Sequence, residues 1–236
     1  MDSINLVDTV DLVTLEAQAQ SCVTCPLCST RKKVVFGEGN PTPTVFILGE
    51  GPGADEDASG RPFVGKAGQL LDKILAAAGM PRESVYISNM VKCRPPGNRD
   101  PELSEMAACS QWLNPQLELL RPQIILTLGN IPSKNWLGLK LGITRTRGTW
   151  YRKTMPWGEV LCMPIFHPSY LLRNDSRAVG GPKSQTWRDI QEVKSVVDGK
   201  EPQVLEPQIL KPKPKLDQDA KTEVSLVATN EIQRLF

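Results

Sequence analysis

The chain has 236 residues, 40% of them apolar and 23% charged, with a formal net charge of +2; that is enough to bury one substantial core and too little for two full domains. Its longest apolar stretches, TVFILG and QIILTLG, fall far short of the roughly 20 residues of a membrane span, and the opening MDSINLVDTVD is acidic where a secretory leader is basic, so the sequence predicts a cytoplasmic protein with no membrane partner. The small net charge hides an asymmetry: residues 1–60 carry 3 Lys or Arg against 9 Asp or Glu, while residues 61–195 carry 19 against 10, a basic middle that suits a polyanionic partner as well as a plain solvated surface.

In chain order, residues 1–20 read as an N-terminal segment of helical character, and residues 21–195 hold the rest of the regular patterning. Four short runs rich in Val and Ile and closed by Gly, Asn or Pro are predicted strands: TVFILGE (44–50), SVYISNMV (84–91), QIILTLGN (123–130) and VLCMPIFHPS (160–169). Between the first three lie KAGQLLDKILAAAG, with Gly79 as a stop, and PELSEMAACSQWLNPQLELLR, opened by Pro101, both of helical character. Alternating strands and helices predict an α/β fold, a central mostly parallel four-stranded sheet flanked by helices, and RGTWYRKTMPWGEVLCMPIF adds a hairpin turning at Pro156-Trp157-Gly158. From residue 196 the chain turns Pro-rich, VVDGKEPQVLEPQILKPKPKLDQDAK, so residues 196–236 are predicted to form a disordered tail. Its apolar end EIQRLF reads as a frayed terminus or as a short peptide that docks on a protein partner.

Ligands of open parallel sheets sit outside the carboxyl ends of the strands, and that rule collects the GEGPGADED turn, Asn89, Gly129-Asn130 and His167 into one pocket. GEGPG lacks the spacing of the phosphate-binding loops, and Pro52 removes an amide that a phosphate nest would use. Its glycines instead allow a close backbone approach to a flat, neutral ligand. Glu50 and Glu56 are the acids of this turn best placed for the pocket, whereas Asp55 and Asp57 read equally well as helix N-terminal charges. His167 is the only histidine, so it cannot anchor a His-based metal centre; a hydrogen-bonded core residue is one reading, and the other pairs it with Asn89, an amide donor and acceptor, to read the edge of a heterocyclic base.

A reducing cytosol disfavours structural disulfides, so the six cysteines call for another use. Cys22, Cys25, Cys93 and Cys109 give C-x2-C…C-x15-C, a spacing that clips loops together around either zinc or an iron–sulfur cluster. Cys28 is a rival to Cys25, and Cys162 is a small residue inside a predicted strand.

The segments GEGPGADEDASGRPFVGKAGQLL, YISNMVKCRPPGNRDP and HPSYLLR, with CVTCPL near the start, resemble the iron–sulfur (family 4) uracil-DNA glycosylases over roughly residues 20–195. The resemblance implies a glycosylase domain over 21–195 that turns uracil out of DNA and hydrolyses its N-glycosidic bond in base excision repair. It implies a [4Fe-4S] cluster on the four cysteines, Phe63 stacked on the uracil, Asn89 on its O4 and N3 edge and Glu56 near C5, where a thymine methyl would lie. His167 would donate to O2 of the departing anion, and Gly49, Glu50 and Gly51 would form the floor. Leu171 would be the wedge that fills the emptied stack, with Arg94, Arg99 and Arg173 on phosphates. Where several branches of the superfamily place a water-activating aspartate, this chain has Gly51; Glu50 is the nearest carboxylate for that task, unless the sugar cation forms first and needs no base. A histidine that traps the sugar covalently in another branch has no counterpart in the loop PPGNRDP. A monomer is expected, with a sliding clamp as a partner for the tail. The rival reading is a non-catalytic nucleic-acid-binding module clipped by zinc on four cysteines.

Overall fold

The computed structural model describes residues 11–174, 176 and 178–205; the EIQRLF end and most of the Pro-rich tail lie outside these. The elements run α1 (Leu12–Gln20), β1 (Glu38–Gly39), β2 (Val45–Gly49), α2 (Ala54–Ser59), α3 (Lys66–Ala77), β3 (Tyr86–Asn89), α4 (Leu103–Leu120), β4 (Ile124–Leu128), α5 (Asn130–Asn135), α6 (Ile143–Thr146), β5 (Tyr151–Met155), β6 (Gly158–Ile165), α7 (Pro168–Arg173) and α8 (Pro182–Val197). They build a six-stranded sheet in the order β1-β3-β2-β4-β6-β5. Its four central strands are the four predicted ones, all parallel. β5 joins β6 as the predicted hairpin. The two-residue β1, antiparallel to β3, is too short to leave a hydrophobic pattern in sequence.

Strand side chains alternate faces, and the alternation sorts the core into two layers. Phe46, Leu48, Tyr86, Ile125 and Cys162 pack with Leu15 and Ala19 of α1 and with Leu113 and Leu117 of α4. Val45, Ile47, Ile87, Leu126 and Met163 face the other way, onto Leu71, Ile74 and Leu75 of α3 and Ile190 and Val193 of α8. Each such buried aliphatic side chain contributes roughly 1.5–3 kcal/mol, against about 1 kcal/mol or less for an exposed ion pair. The two apolar layers therefore hold the frame. Cys162 is fully buried in the first of them.

The helices start and stop where local chemistry dictates. Asp11 caps α1 by accepting from the Thr14 amide at 2.7 Å. Glu105 caps α4 by accepting from the Glu102 amide at 2.8 Å. After α8, residues 201–205 return to the sheet, where Val204 bridges Trp150 in parallel. Among the described residues no helix is long and apolar enough to cross a membrane.

Register sets the pocket. Gly49 and Asn89 are direct neighbours at the ends of β2 and β3. His167 follows two residues after β6, and Gly129, at φ +87°, comes so close beneath it that an added Cβ would lie 3.2 Å from the His167 Cβ. A second glycine is fixed by contact inside a helix: a Cβ on Gly68 in α3 would lie 1.8 Å from the Phe63 carbonyl oxygen. Alanine normally stabilises a helix interior over glycine by about 1 kcal/mol. Here Gly68→Ala is expected to destabilise by about 1–3 kcal/mol through overpacking, lowering Tm in a thermal melt by roughly 2–12 °C; an unchanged or raised Tm would contradict this contact.

Candidate active site

At the carboxyl ends of β2, β3 and β6 an open cavity of about 310 Å³ is lined by Glu50, Gly51, Glu56, Phe63, Asn89 and His167, with Pro95, Asn98, Arg99, Ser169 and Arg173 towards its mouth. The Asn89 side chain is buried and its Oδ1 has no hydrogen-bond partner, a state that costs about 1–3 kcal/mol unless a ligand supplies the donor. Gly49 makes this placement possible: a Cβ there would fall 2.3 Å from Asn89 Oδ1 and 2.7 Å from the Phe63 ring. Phe63 itself adopts φ +51°, a left-handed backbone that costs a bulky residue roughly 1–3 kcal/mol, and its ring centroid is 5.8 Å from that of His167.

The imidazole is fixed by its own turn. Nδ1 accepts from the Ser169 amide at 3.2 Å and lies 2.8 Å from the Ser169 hydroxyl. That leaves Nε2 as the protonated nitrogen of a neutral ring. Burial, reinforced by the Arg173 charge and only partly opposed by Glu56, lowers the His167 pKa to about 4. Glu50 goes the other way: burial first, then the Asp100 charge, raise its carboxyl to about 7. The cavity thus offers a planar stacking surface, an orphan carboxamide oxygen, a neutral N–H donor and an acid that ionises near neutrality.

A family model described as the uracil DNA glycosylase superfamily matches residues 36–191. The chain belongs to that superfamily. It is 43% identical over 182 residues to the type-4 uracil-DNA glycosylase of Thermotoga maritima, a span covering 76% of this chain and 91% of that protein. To the type-4 uracil-DNA glycosylase of Saccharolobus solfataricus it is 42% identical over 173 residues, 71% of this chain and 79% of the other.

On this superfamily framework most of the residues singled out in the sequence meet at the cavity, with instructive differences. Glu56 lines it, but Oε1 accepts from the amides of Val64 and Gly65 at 2.9 Å each and Oε2 from the Gly53 amide at 3.0 Å, so the carboxylate staples the turn before α2 to the loop bearing Phe63. Asn130, expected in the pocket, instead accepts from the Ile143 amide at 2.8 Å and is absent from the lining. Leu171 is 0% exposed, locked under α7 against the second core layer. A wedge at that position would have to leave the core; its neighbour Leu172 on the same helix is 44% exposed. Arg94 donates to Asn98 Oδ1 at 2.7 Å, and Arg99 forks onto Glu105 at 2.6 and 2.8 Å. Arg173 is exposed at the cavity mouth.

Two groups escaped the sequence reading. Ser169 sets the imidazole tautomer, and its position in HPS beside the lone histidine was the available signal. Lys92 is 1% exposed; its ammonium donates to the Asn89 carbonyl at 3.1 Å, to Gln116 Oε1 at 2.8 Å and to the Ser88 hydroxyl, and burial brings its pKa down to about 7. A lysine closing the apolar run YISNMVK gives no hint of burial by periodicity.

Cys22, Cys25, Cys28, Cys93 and Cys109 line a second cavity with Trp112 and Arg31. Hydrogen-bond donors point at the sulfurs: the Lys92 amide to Cys109 Sγ at 3.2 Å, Trp112 Nε1 to Cys22 Sγ at 3.1 Å and Arg31 Nη1 to Cys93 Sγ at 3.6 Å. Such donors stabilise thiolates, the form that binds metal. Burial pushes the Cys93 thiol up to about 11 against the pull of Arg31. Among the described residues no three His, Cys, Asp or Glu side chains close around a single ion.

Because the chain has one histidine, an imidazole NMR titration reads this site alone. The signals are expected to stay those of the neutral, Nε2-protonated ring from pH 8 down to pH 5, with a midpoint near 4; a midpoint near the ordinary 6.5 would contradict the buried, Ser169-bonded geometry.

Proposed function

We propose that the protein is a monofunctional uracil-DNA glycosylase of base excision repair. The observation that carries this reading is the unpartnered, buried Asn89 Oδ1 in one cavity with a histidine whose only free nitrogen is a donor. A uracil turned out of the helix supplies the N3–H that Oδ1 lacks and an O2 for His167 Nε2–H. Phe63 stacks on the ring. As the N-glycosidic bond breaks, the electron pair leaves with uracil, negative charge grows on O2, and the neutral imidazole stabilises the anion more in the transition state than in the ground state. Water adds to the sugar cation, with Glu50 taking its proton. Glu56, fixed by three amides, bars 5-substituted bases by holding the cavity wall in place. Leu172 fills the vacated stack, and Arg173 with Arg94 meets flanking phosphates.

The sulfur-lined cavity suits a [4Fe-4S] cluster better than zinc. Both groups are held by cysteine thiolates, and the resemblance to the iron–sulfur uracil-DNA glycosylases favours the cluster. Cys22, Cys25, Cys93 and Cys109 would hold it, with Cys28 the spare thiol, and its role is to brace the loop 94–100 at the cavity mouth. It takes no part in breaking the glycosidic bond. A reducing cytoplasm keeps these thiols available.

The test is a pair of oligonucleotides, one with uracil and one with thymine at the same position, incubated with the purified protein and cut with alkali. Cleavage of the uracil strand alone is expected, from a brown sample absorbing broadly in the visible. His167→Ala should bind DNA normally yet lose on the order of 10²-fold or more in rate. If neither strand is cut, the enzymatic reading fails; a colourless sample, independently, would put zinc in place of the cluster.

Glu50 adds a pH signature. With its carboxyl raised to about 7, the base form accumulates only as pH rises through neutrality, so kcat/KM should climb between about pH 6 and 8. Glu50→Gln should flatten that limb at a low level; a limb that survives the substitution would move the base elsewhere or remove the need for one.

A further inference from the structure

Phe63 holds its ring in the cavity only by keeping a backbone conformation unfavourable for an aromatic residue, at φ +51°. Glu56 anchors the amides that follow it, and the carbonyl side is gripped by one guanidinium. Arg82 lies in the short turn before β3, and its side chain is 17% exposed. Its donors make four hydrogen bonds, with a further ion-pair contact to Glu38. Nη1 donates to the Phe63 carbonyl at 3.1 Å and to Asp72 Oδ1 of α3 at 2.9 Å. Nη2 donates to the Pro62 carbonyl and lies 2.7 Å from Glu38 Oε1. Nε donates to that same oxygen at 2.9 Å. Glu38 is fixed in turn by Arg61, at 2.8 and 2.9 Å.

We propose that Arg82 is a positioning residue for base selection, its guanidinium gripping two successive carbonyls so that the Phe63 ring lies flat against the extruded base. The inference deepens the function proposed above and rests on the stacking role given to Phe63. Its chemistry is specific to arginine. Two carbonyls and two carboxylates from three different elements demand a rigid planar fork, and an ammonium with three donors cannot span them. Glu38 and Asp72 keep the fork aimed and balance its charge, and Gly68 gives the Phe63 carbonyl the room to turn towards it. β1, a strand of two residues, thereby gains a purpose beyond the sheet: it carries Glu38 to the guanidinium.

The test uses Arg82→Lys, Arg82→Gln and the milder Glu38→Gln in the full chain, each with 4-fluorophenylalanine at its five phenylalanines and the Phe63 resonance assigned through Phe63→Leu. In ¹⁹F NMR below Tm, the Phe63 signal should shift and broaden in all three while those of Phe36 and Phe46 hold. Stacking of a base on an aromatic ring changes affinity by roughly ten- to a hundredfold. Both KM for the uracil oligonucleotide and the inhibition constant of free uracil should therefore rise about tenfold in the Arg82 variants, with kcat within about threefold, and no further loss should appear when Phe63→Leu is added. A merely structural arginine would lower Tm and leave the inhibition constant unchanged. An unmoved Phe63 signal in a folded Arg82 variant, or losses that multiply in the double variant, would overturn the proposal. A wild-type protein that releases no uracil would refute the function instead, and the fluorine signal would still decide whether Arg82 holds Phe63.

Discussion

The absence of a side chain at Gly49 is the constraint on which the cavity depends. β2 and β3 run in register there, and the space a Cβ would fill belongs to the Asn89 carboxamide on one side and the Phe63 ring on the other. Any larger residue would push the Asn89 carboxamide and the Phe63 ring out of their places. The first glycine of the GEGPG turn is thus fixed by close packing, and the carboxylates of the turn have separate surroundings. Glu56 is consumed by amides, and Glu50 is held near neutrality by burial.

The two core layers divide the work. On one face α1 and α4 enclose the cysteines, and on the other α3 carries the loop whose carbonyls meet Arg82. Asn89 and His167 of the cavity sit at or just beyond strand ends between these layers. Their electrostatics follow from enclosure more than from pairing. The same burial that keeps His167 neutral raises the acid opposite, giving one cavity a donor and a prospective base at one pH.

Much of this was legible in the residues. The four central strands, the hairpin and the two long helices follow from short β-branched runs, periodicity and their Gly and Pro boundaries. The strand-end rule brought Glu50, Asn89 and His167 together without any side-chain information. What stayed hidden was direction. HPSYLLR does not say which of two adjacent leucines faces the core, because a six-residue helix has too few turns to show a periodicity. RPFVG does not announce that Phe63 bends into the left-handed region, since glycine is the usual sign of it. Nor does a charged residue such as Lys92 declare itself buried, when its partners are a glutamine on α4 and a carbonyl one turn away.

From Asn89 to Cys93 the chain advances only four residues, and Lys92 on that path fastens the Asn89 carbonyl to Gln116 of α4 while its own amide faces Cys109. The Asn89 cavity and the sulfur-rich site are therefore joined by one short, hydrogen-bonded segment. Whatever moves Cys93 or Cys109 acts on a segment whose other end sets the Asn89 backbone.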